Sequence, residues 1–307
     1  MSSFVYGPVP SRRLGRSLGV DIVPFKTCTY DCIYCQLGRT TRKTVRPASF
    51  APVEKVIREV RDALEQVPRP DYVTLSGSGE PTLHSELGQI ISRIKDVTDV
   101  PVAIITNGSL FFKSEVRDAC RLADLVIPSL DAGDESMFQY VNRPHESLSF
   151  EQVCQGLVDF RQESTNEMWL EVLLLGGATA TPAEALKIKE HVARIQPEKI
   201  HLNTVVRPAS EEFALAGTPE ELSRLCKLFG DRAEVIASFP DRHITQEFKA
   251  RREDILALIA RRPSSIDDIS IGLMMNRGEL LKVLNALVAE GVIEYTYRNG
   301  NVYYVKK

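Results

Sequence analysis

The sequence predicts an α/β protein: a partial (β/α)6 barrel of the TIM type over residues 1–240, a linker over 241–251 and a small winged-helix-like module over 252–307. Three observations predict it. Short apolar runs alternate with amphipathic helical stretches about six times before residue 240, the pattern of parallel βα units. Glycines and polar residues gather after the apolar runs rather than before them, and a βα barrel carries its working loops on that side of its strands. From Arg252 onward the strands stop, and helices succeed one another up to a closing hairpin.

Taken in order, residues 19–23 form the first strand and run into a cysteine-rich loop. Pro52 opens a helix in which Val53, Val56, Ile57, Val60, Leu64 and Val67 recur at helical spacing. Residues 72–75 are a strand that enters the loop SGSGEP. A helix bearing Leu87, Ile90, Ile91 and Ile94 leads to strand 102–105 and the loop Thr106-Asn107-Gly108. A helix over 113–122 leads to strand 125–127 and the loop Ser129-Leu130-Asp131. Helix 150–161, strand 169–175, helix 182–195, strand 199–206, helix 218–229 and a last strand over 233–239 continue the alternation. In the C-terminal module, Ile255, Leu256, Leu258 and Ile259 mark one helix and residues 265–273 a second. Asn276 and Glu279 have the spacing of a cap for a third, which Gly291 ends. The Asn299-Gly300 step turns the final hairpin.

Composition narrows the function classes. With 43% hydrophobic and 26% charged residues in 307, the chain is globular rather than disordered. No apolar run reaches the length of a membrane span, and MSSFVYGPVPSRR lacks the apolar core of a signal peptide. The expectation is a cytoplasmic protein without a membrane partner, in a compartment where thiols stay reduced.

Cys28, Cys32 and Cys35 lie in the string CTYDCIYCQ. Thiolate is the usual ligand of cluster iron, and three thiolates this close leave one iron of a four-iron cluster open. A structural zinc site wants four ligands, so zinc requires a distant fourth; redox-active thiols are the other alternative. Cys120, Cys154 and Cys226 sit singly in apolar or helical patterns and read as buried small hydrophobes. The net charge of −3 is unevenly placed. Between Ser11 and Arg46, eight basic residues (Arg12, Arg13, Arg16, Lys26, Arg39, Arg42, Lys43, Arg46) face only Asp21 and Asp31. Such a rim draws in an anionic ligand or substrate, or neutralises the thiolates and a cofactor's carboxylate.

The ordered set CTYDCIYC, SGSGEPTL, TNG and SLDA resembles the radical S-adenosylmethionine (SAM) superfamily over residues 5–240. The longer strings VPSRRLGRSLGVDIVP, TLSGSGEPTLHSEL and LNTVVRP resemble uncharacterised relatives of wyosine-type tRNA-modifying enzymes. Those enzymes carry a second cluster on cysteines ahead of the SAM motif, whereas residues 1–27 here hold no cysteine. The resemblance implies that Cys28, Cys32 and Cys35 ligate a 4Fe-4S cluster whose fourth iron is chelated by SAM. Tyr34 would pack against the adenine. Gly77, Ser78, Gly79 and Glu80 would meet the methionyl amino group. Asn107, Ser129 and Asp131 would reach the ribose, adenine or carboxylate, with Asn203 a weaker cofactor-binding match. Arg207 and Arg143 are weaker matches, and His84 reads as a helix-entry residue. The implied activity is reductive cleavage of SAM to a 5′-deoxyadenosyl radical that abstracts hydrogen from a substrate. An external electron donor of the flavodoxin or ferredoxin type is implied with it.

The C-terminal module suggests a macromolecular substrate, RNA or protein. Its third helix offers Arg277, Lys282 and Asn285. Its hairpin interleaves Arg298, Lys306 and Lys307 with Tyr295, Tyr297, Tyr303 and Tyr304. The region from Ala250 to Lys307 carries nine basic and seven acidic residues, which is thin for phosphate binding. Docking or domain packing is therefore the competing reading. Two further readings stand beside the first: an activase that installs a radical on a partner protein, and a cluster-bearing nucleic-acid-binding regulator.

Overall fold

The computed structural model describes residues 3–237, 252–273, 275, 277–298 and 300–307. Its strands are β1 (Val5–Ser11), β2 (Gly15–Val20), β3 (Thr27–Cys28), β4 (Arg42–Lys43), β5 (Tyr72–Leu75), β6 (Val102–Thr106) and β7 (Leu125–Pro128). They continue with β8 (Glu167–Leu173), β9 (Leu175–Gly176), β10 (Lys199–Asn203), β11 (Leu215–Ala216), β12 (Ala233–Val235), β13 (Ile293–Arg298) and β14 (Asn301–Lys306). The helices are α1 (Val53–Gln66), α2 (Leu87–Val97), α3 (Ser114–Cys120), α4 (Glu135–Val141), α5 (Phe150–Glu163), α6 (Pro182–Ile195) and α7 (Pro219–Phe229). Helices α8 (Arg252–Arg261), α9 (Ile266–Leu273) and α10 (Arg277–Ala289) follow.

Eight strands form the main sheet in the order β1-β2-β5-β6-β7-β8-β10-β12. All neighbours pair in parallel except β1, which runs antiparallel to β2. This is the expected partial barrel with a strand added at each end. The apolar stripes explain the helical layer. In α1, Val53, Val56, Ile57 and Val60 are buried, and in α2 so are Leu87, Ile90, Ile91 and Ile94. Each large side chain buried this way is worth about 1.5–3 kcal/mol. Capping boxes start α5 (Ser149 with Gln152) and α7 (Thr218 with Glu221), which fixes where each strand's loop ends and its helix begins.

The structure departs from the sequence reading in a few places, each with a physical cause. β1, in the string VYGPVPS, carries two prolines and so looks like a loop; at a sheet edge the missing donors cost nothing. The first barrel strand runs over Gly15–Val20, earlier than expected, because residues 21–23 peel away to start the cysteine loop. Helix α4 is a two-turn element with Asp134 as its cap, too short to show a period. The strand expected over 199–206 stops at Asn203. The linker 241–251, the end of the strand expected over 233–239, and the cap and turn residues Asn276 and Asn299 lie outside the described residues.

The C-terminal module shows the expected three helices and antiparallel hairpin. Its core (Ile255, Leu258, Ile259, Ile269, Leu273, Leu280, Leu284, Leu287, Ile293) includes Val9 of β1. The approach is close: a Cβ on Gly272 would stand 2.3 Å from Pro10 Cδ. A buried ion pair, Arg207–Asp268 at 2.9 Å, and a bond from the Tyr303 hydroxyl to the Val206 carbonyl at 2.5 Å tie the module to the loop after β10. The module therefore packs against the barrel edge rather than projecting from it. No helix among the described residues is long and apolar enough to cross a membrane.

Candidate active site: a cysteine-lined cavity

The loops following β2, β5, β6 and β7 come together, as the parallel topology requires. Two backbone bonds fasten the cysteine loop to the glycine-rich loop: Lys26 N–H donates to the Ser78 carbonyl at 2.7 Å, and Glu80 N–H to the Thr27 carbonyl at 3.0 Å. This contact explains the glycines. A Cβ on Gly79 would lie 2.0 Å from the Thr27 carbonyl oxygen, and one on Gly77 would lie 2.4 Å from Asp21 Cγ. Asp21 in turn accepts from the Ser78 N–H at 3.1 Å and its hydroxyl at 2.5 Å. At Gly79 backbone has to approach backbone, and at Gly77 the Asp21 side chain leaves no room for a Cβ, so only glycine fits.

Between these loops and the barrel wall lies a cavity of about 360 Å³, within the usual size of a small-molecule site. Cys28, Cys32 and Cys35 line it, as do Tyr34, Gly77, Ser78, Gly79, Glu80, Asn107, Ser129, Asn203 and Arg207. Asp131 does not. It is buried behind Tyr34, whose hydroxyl donates to it, and it also accepts from Asn142 Nδ2 at 3.0 Å and from the Leu173 N–H at 3.0 Å. Burial pushes the Asp131 carboxyl above its ordinary range, and burial together with Asp131 pushes the Tyr34 phenol well up. Arg143 turns away to Glu211 at 2.6 Å. His84 is buried against the backbone of Ala51, as a helix-entry residue.

Each cysteine sulfur has an N–H donor beside it, and each donor comes from a different segment. Lys26 Nζ stands 3.2 Å from Cys35 Sγ, Asn107 Nδ2 3.5 Å from Cys28 Sγ, and Asn142 Nδ2 3.6 Å from Cys32 Sγ. This donor set suits thiolates bound to iron, since hydrogen bonds to ligand sulfur stabilise its charge and tune the metal. Burial raises the Cys28 thiol to about 12 and the Cys32 thiol well above its ordinary value. Among the described residues no three His, Cys, Asp or Glu side chains are gathered tightly enough to hold a single ion. All six cysteines are free of disulfides; Cys120 and Cys154 are buried as expected, and Cys226 is half-buried.

Sequence reasoning missed Asn142 and the particular role of Lys26. Asn142 follows the unforeseen helix α4, and nothing in its neighbourhood announces a contact 110 residues away. Lys26 appeared only as one charge in a basic run, although its place two residues before Cys28 was a usable signal.

Glu80 is the most heavily bonded group of the site. Its Oε1 accepts from Thr82 N–H at 3.0 Å and from the Thr82 and Thr106 hydroxyls at 2.6 Å each, and its Oε2 from Asn107 N–H at 2.8 Å. It joins the glycine-rich loop to the TNG loop. Glu80→Gln places an amide NH2 against one of these donors and is expected to cost about 1–3 kcal/mol in urea unfolding. An unchanged unfolding midpoint would remove this structural role.

Residues 22–187 match the family model described as the Radical SAM superfamily. A UPF0026 protein of Methanocaldococcus jannaschii is 32% identical over 99% of this chain and 96% of its own length. A Brachyspira hyodysenteriae protein named GTPase Obg is 38% identical over 98% of this chain, which spans only 45% of that protein. Among solved structures, a radical SAM methyltransferase from Sphaerobacter thermophilus aligns with a TM-score of 0.53 at 15% identity, over 71% of this chain and 65% of that one, a likeness of fold. With over half its length matched by that model and its cysteine loop set at the mouth of a partial barrel, the chain belongs to the radical SAM superfamily.

Proposed function

We propose that this chain is a radical SAM enzyme that abstracts hydrogen from a substrate held in the cysteine-lined cavity. The observation that carries this reading is the convergence of Cys28, Cys32 and Cys35 on one cavity, each with its own N–H donor at the sulfur. The residues fit the family's two cofactors, a 4Fe-4S cluster and SAM. When bound and reduced by an external flavodoxin- or ferredoxin-type donor, they supply a 5′-deoxyadenosyl radical.

The chain's own groups would do the following. Cys28, Cys32 and Cys35 hold the iron, and Lys26, Asn107 and Asn142 steady the sulfurs. Gly77, Ser78 and Gly79, which line the cavity, would meet the ammonium of SAM. The Glu80 carboxylate, with four protein donors, braces that loop rather than reaching out of it. Tyr34, fixed by Asp131, is the aromatic surface for the adenine; Asn107, Ser129 and Asn203 are polar partners for the rest. Leu258, Arg261 and Arg262 of the C-terminal segment also line the cavity, so the module would help exclude water. An RNA or protein substrate would have to present a single residue there.

The test is anaerobic reconstitution with iron and sulfide, followed by SAM and dithionite. The expected result is 5′-deoxyadenosine and methionine in equal amounts. A cluster-loaded protein that leaves SAM intact would refute the proposal.

A further inference from the structure

The cavity is charged asymmetrically. Arg12, Arg13, Arg207, Arg261, Arg262 and Lys26 line it, against the carboxylates of Glu80 and Glu171. Some of these cations are matched. Arg13 pairs with Glu171, Arg261 approaches Asp21 at 3.7 Å, and Lys26 lies at Cys35. Arg12 reaches across the open side of the barrel to the Asn203 side chain at 2.9 Å and the Ala237 carbonyl at 3.2 Å. Arg207 uses Asp268.

Arg262 differs from these. Arg13, Arg207 and Arg261 each leave a buried Nε without a hydrogen-bond partner, but in Arg262 the partnerless buried atom is the terminal Nη2, which is costly for a group built to donate in pairs. Arg262 also sits within electrostatic reach of Arg207, Asp268, Tyr6 and Arg12. Burial, then Arg207, lowers the guanidinium affinity for protons to about 10 at both Arg12 and Arg262. Both guanidiniums still carry full charge at neutral pH. Like charges pressed together in a wall that opens on a cavity are stabilised by an anion placed among them. Arg12, Arg207 and Arg262 all lie outside residues 22–187 that match the superfamily model, so the shared cofactor frame does not call for them.

We propose that Arg262, with Arg12 and Arg207 beside it, forms an oxyanion subsite, so that the substrate meeting the radical carries a phosphate or carboxylate group clamped between barrel and C-terminal module. The assignment of that anion to a substrate rests on the function proposed above; the binding site itself does not. This places the module's contribution at the inner wall of the cavity, and not at the exposed tyrosines of its hairpin.

The experiment is calorimetric titration of the cluster-loaded full chain at low salt with inorganic pyrophosphate, with citrate, and separately with S-adenosylhomocysteine. Pyrophosphate or citrate, whichever matches the natural group, should bind one to one and weaken steeply with added salt. Arg262→Gln should weaken that anion by about tenfold or more, the value of one charge-assisted contact. Arg262→Lys should recover part of it. S-adenosylhomocysteine should bind both variants as it binds the parent chain, and equal thermal midpoints should show that all are folded. Binding of neither anion overturns the proposal, as does equal anion binding by Arg262→Gln. Selective loss of S-adenosylhomocysteine overturns it too, by placing Arg262 at the cofactor carboxylate. None of these readouts needs SAM cleavage, so they stand apart from failure of the radical reading.

Discussion

Replacing Cys28, Cys32 or Cys35 singly with alanine is expected to abolish cluster-dependent SAM cleavage, by about a hundredfold or more. Cys120→Ala, Cys154→Ala and Cys226→Ala should each retain it. The reason is positional. The first three thiols line one cavity and are met by Lys26, Asn107 and Asn142, while Cys120 and Cys154 are packed in the apolar core. Iron and sulfide content and the visible absorption of the reconstituted protein measure the loss directly. Full iron loading and cleavage in any one of the three variants would strike that cysteine from the ligand set. The contrast between the two trios also separates ligand loss from a general weakening of the fold. A buried Cys→Ala change removes one sulfur from the core and leaves a small gap, whereas loss of a ligand leaves an iron bare.

How much of this was legible in the sequence depends on whether a signal was local. The order of strands and helices was local, because side-chain period and caps sit within a few residues of each other. The convergence of the CTYDCIYC, SGSGEP and TNG loops followed from element order alone, since parallel strands put their following loops on one side. Asp131 shows the limit of that argument. Its loop is where it was expected, yet burial turned the carboxylate toward Tyr34 and Asn142, away from the cavity. No pattern in SLDA distinguishes a side chain that faces a ligand from one that fixes its neighbour. The arginine wall was invisible for a different reason. Arg12, Arg207 and Arg262 are separated by 55 residues or more, and they meet only because α8 and α9 pack on β1. The basic run between Arg12 and Arg46 had suggested a single rim. In the structure it divides: Arg12, Arg13 and Lys26 face inward, whereas Arg39 engages Glu211 and Lys43 the carbonyls of Arg143 and Pro144.

Asp268→Ala is expected to lower stability by about 3–5 kcal/mol, the cost of removing one partner of a buried ion pair. Arg207 and Asp268 expose only 5% and 2% of their side chains, so the pair is largely desolvated. Asp268 also accepts the Ser265 N–H at 3.0 Å while its own N–H bonds the Ser265 hydroxyl at 3.1 Å, which makes it part of the cap of α9. Burial works against its charge, but Arg207 and then Arg262 outweigh that and hold the carboxyl below its ordinary value of 3.8. A depressed carboxyl pKa means that the pair's contribution is complete above the unfolded value and fades as pH falls through the folded one, so the deficit of Asp268→Ala should shrink below about pH 4. The partner of this experiment is the double variant Arg207→Met, Asp268→Leu. Removing both charges should restore part of the loss, giving a coupling of about 2 kcal/mol in urea unfolding. Additive single effects would mean that the pair does not join module to barrel. A real coupling has a chemical consequence, because the same contact closes the cavity wall that carries Arg262. A chain destabilised there should take up solvent where a radical must be kept dry, and the yield of 5′-deoxyadenosine per substrate turned over should rise above that of the parent chain.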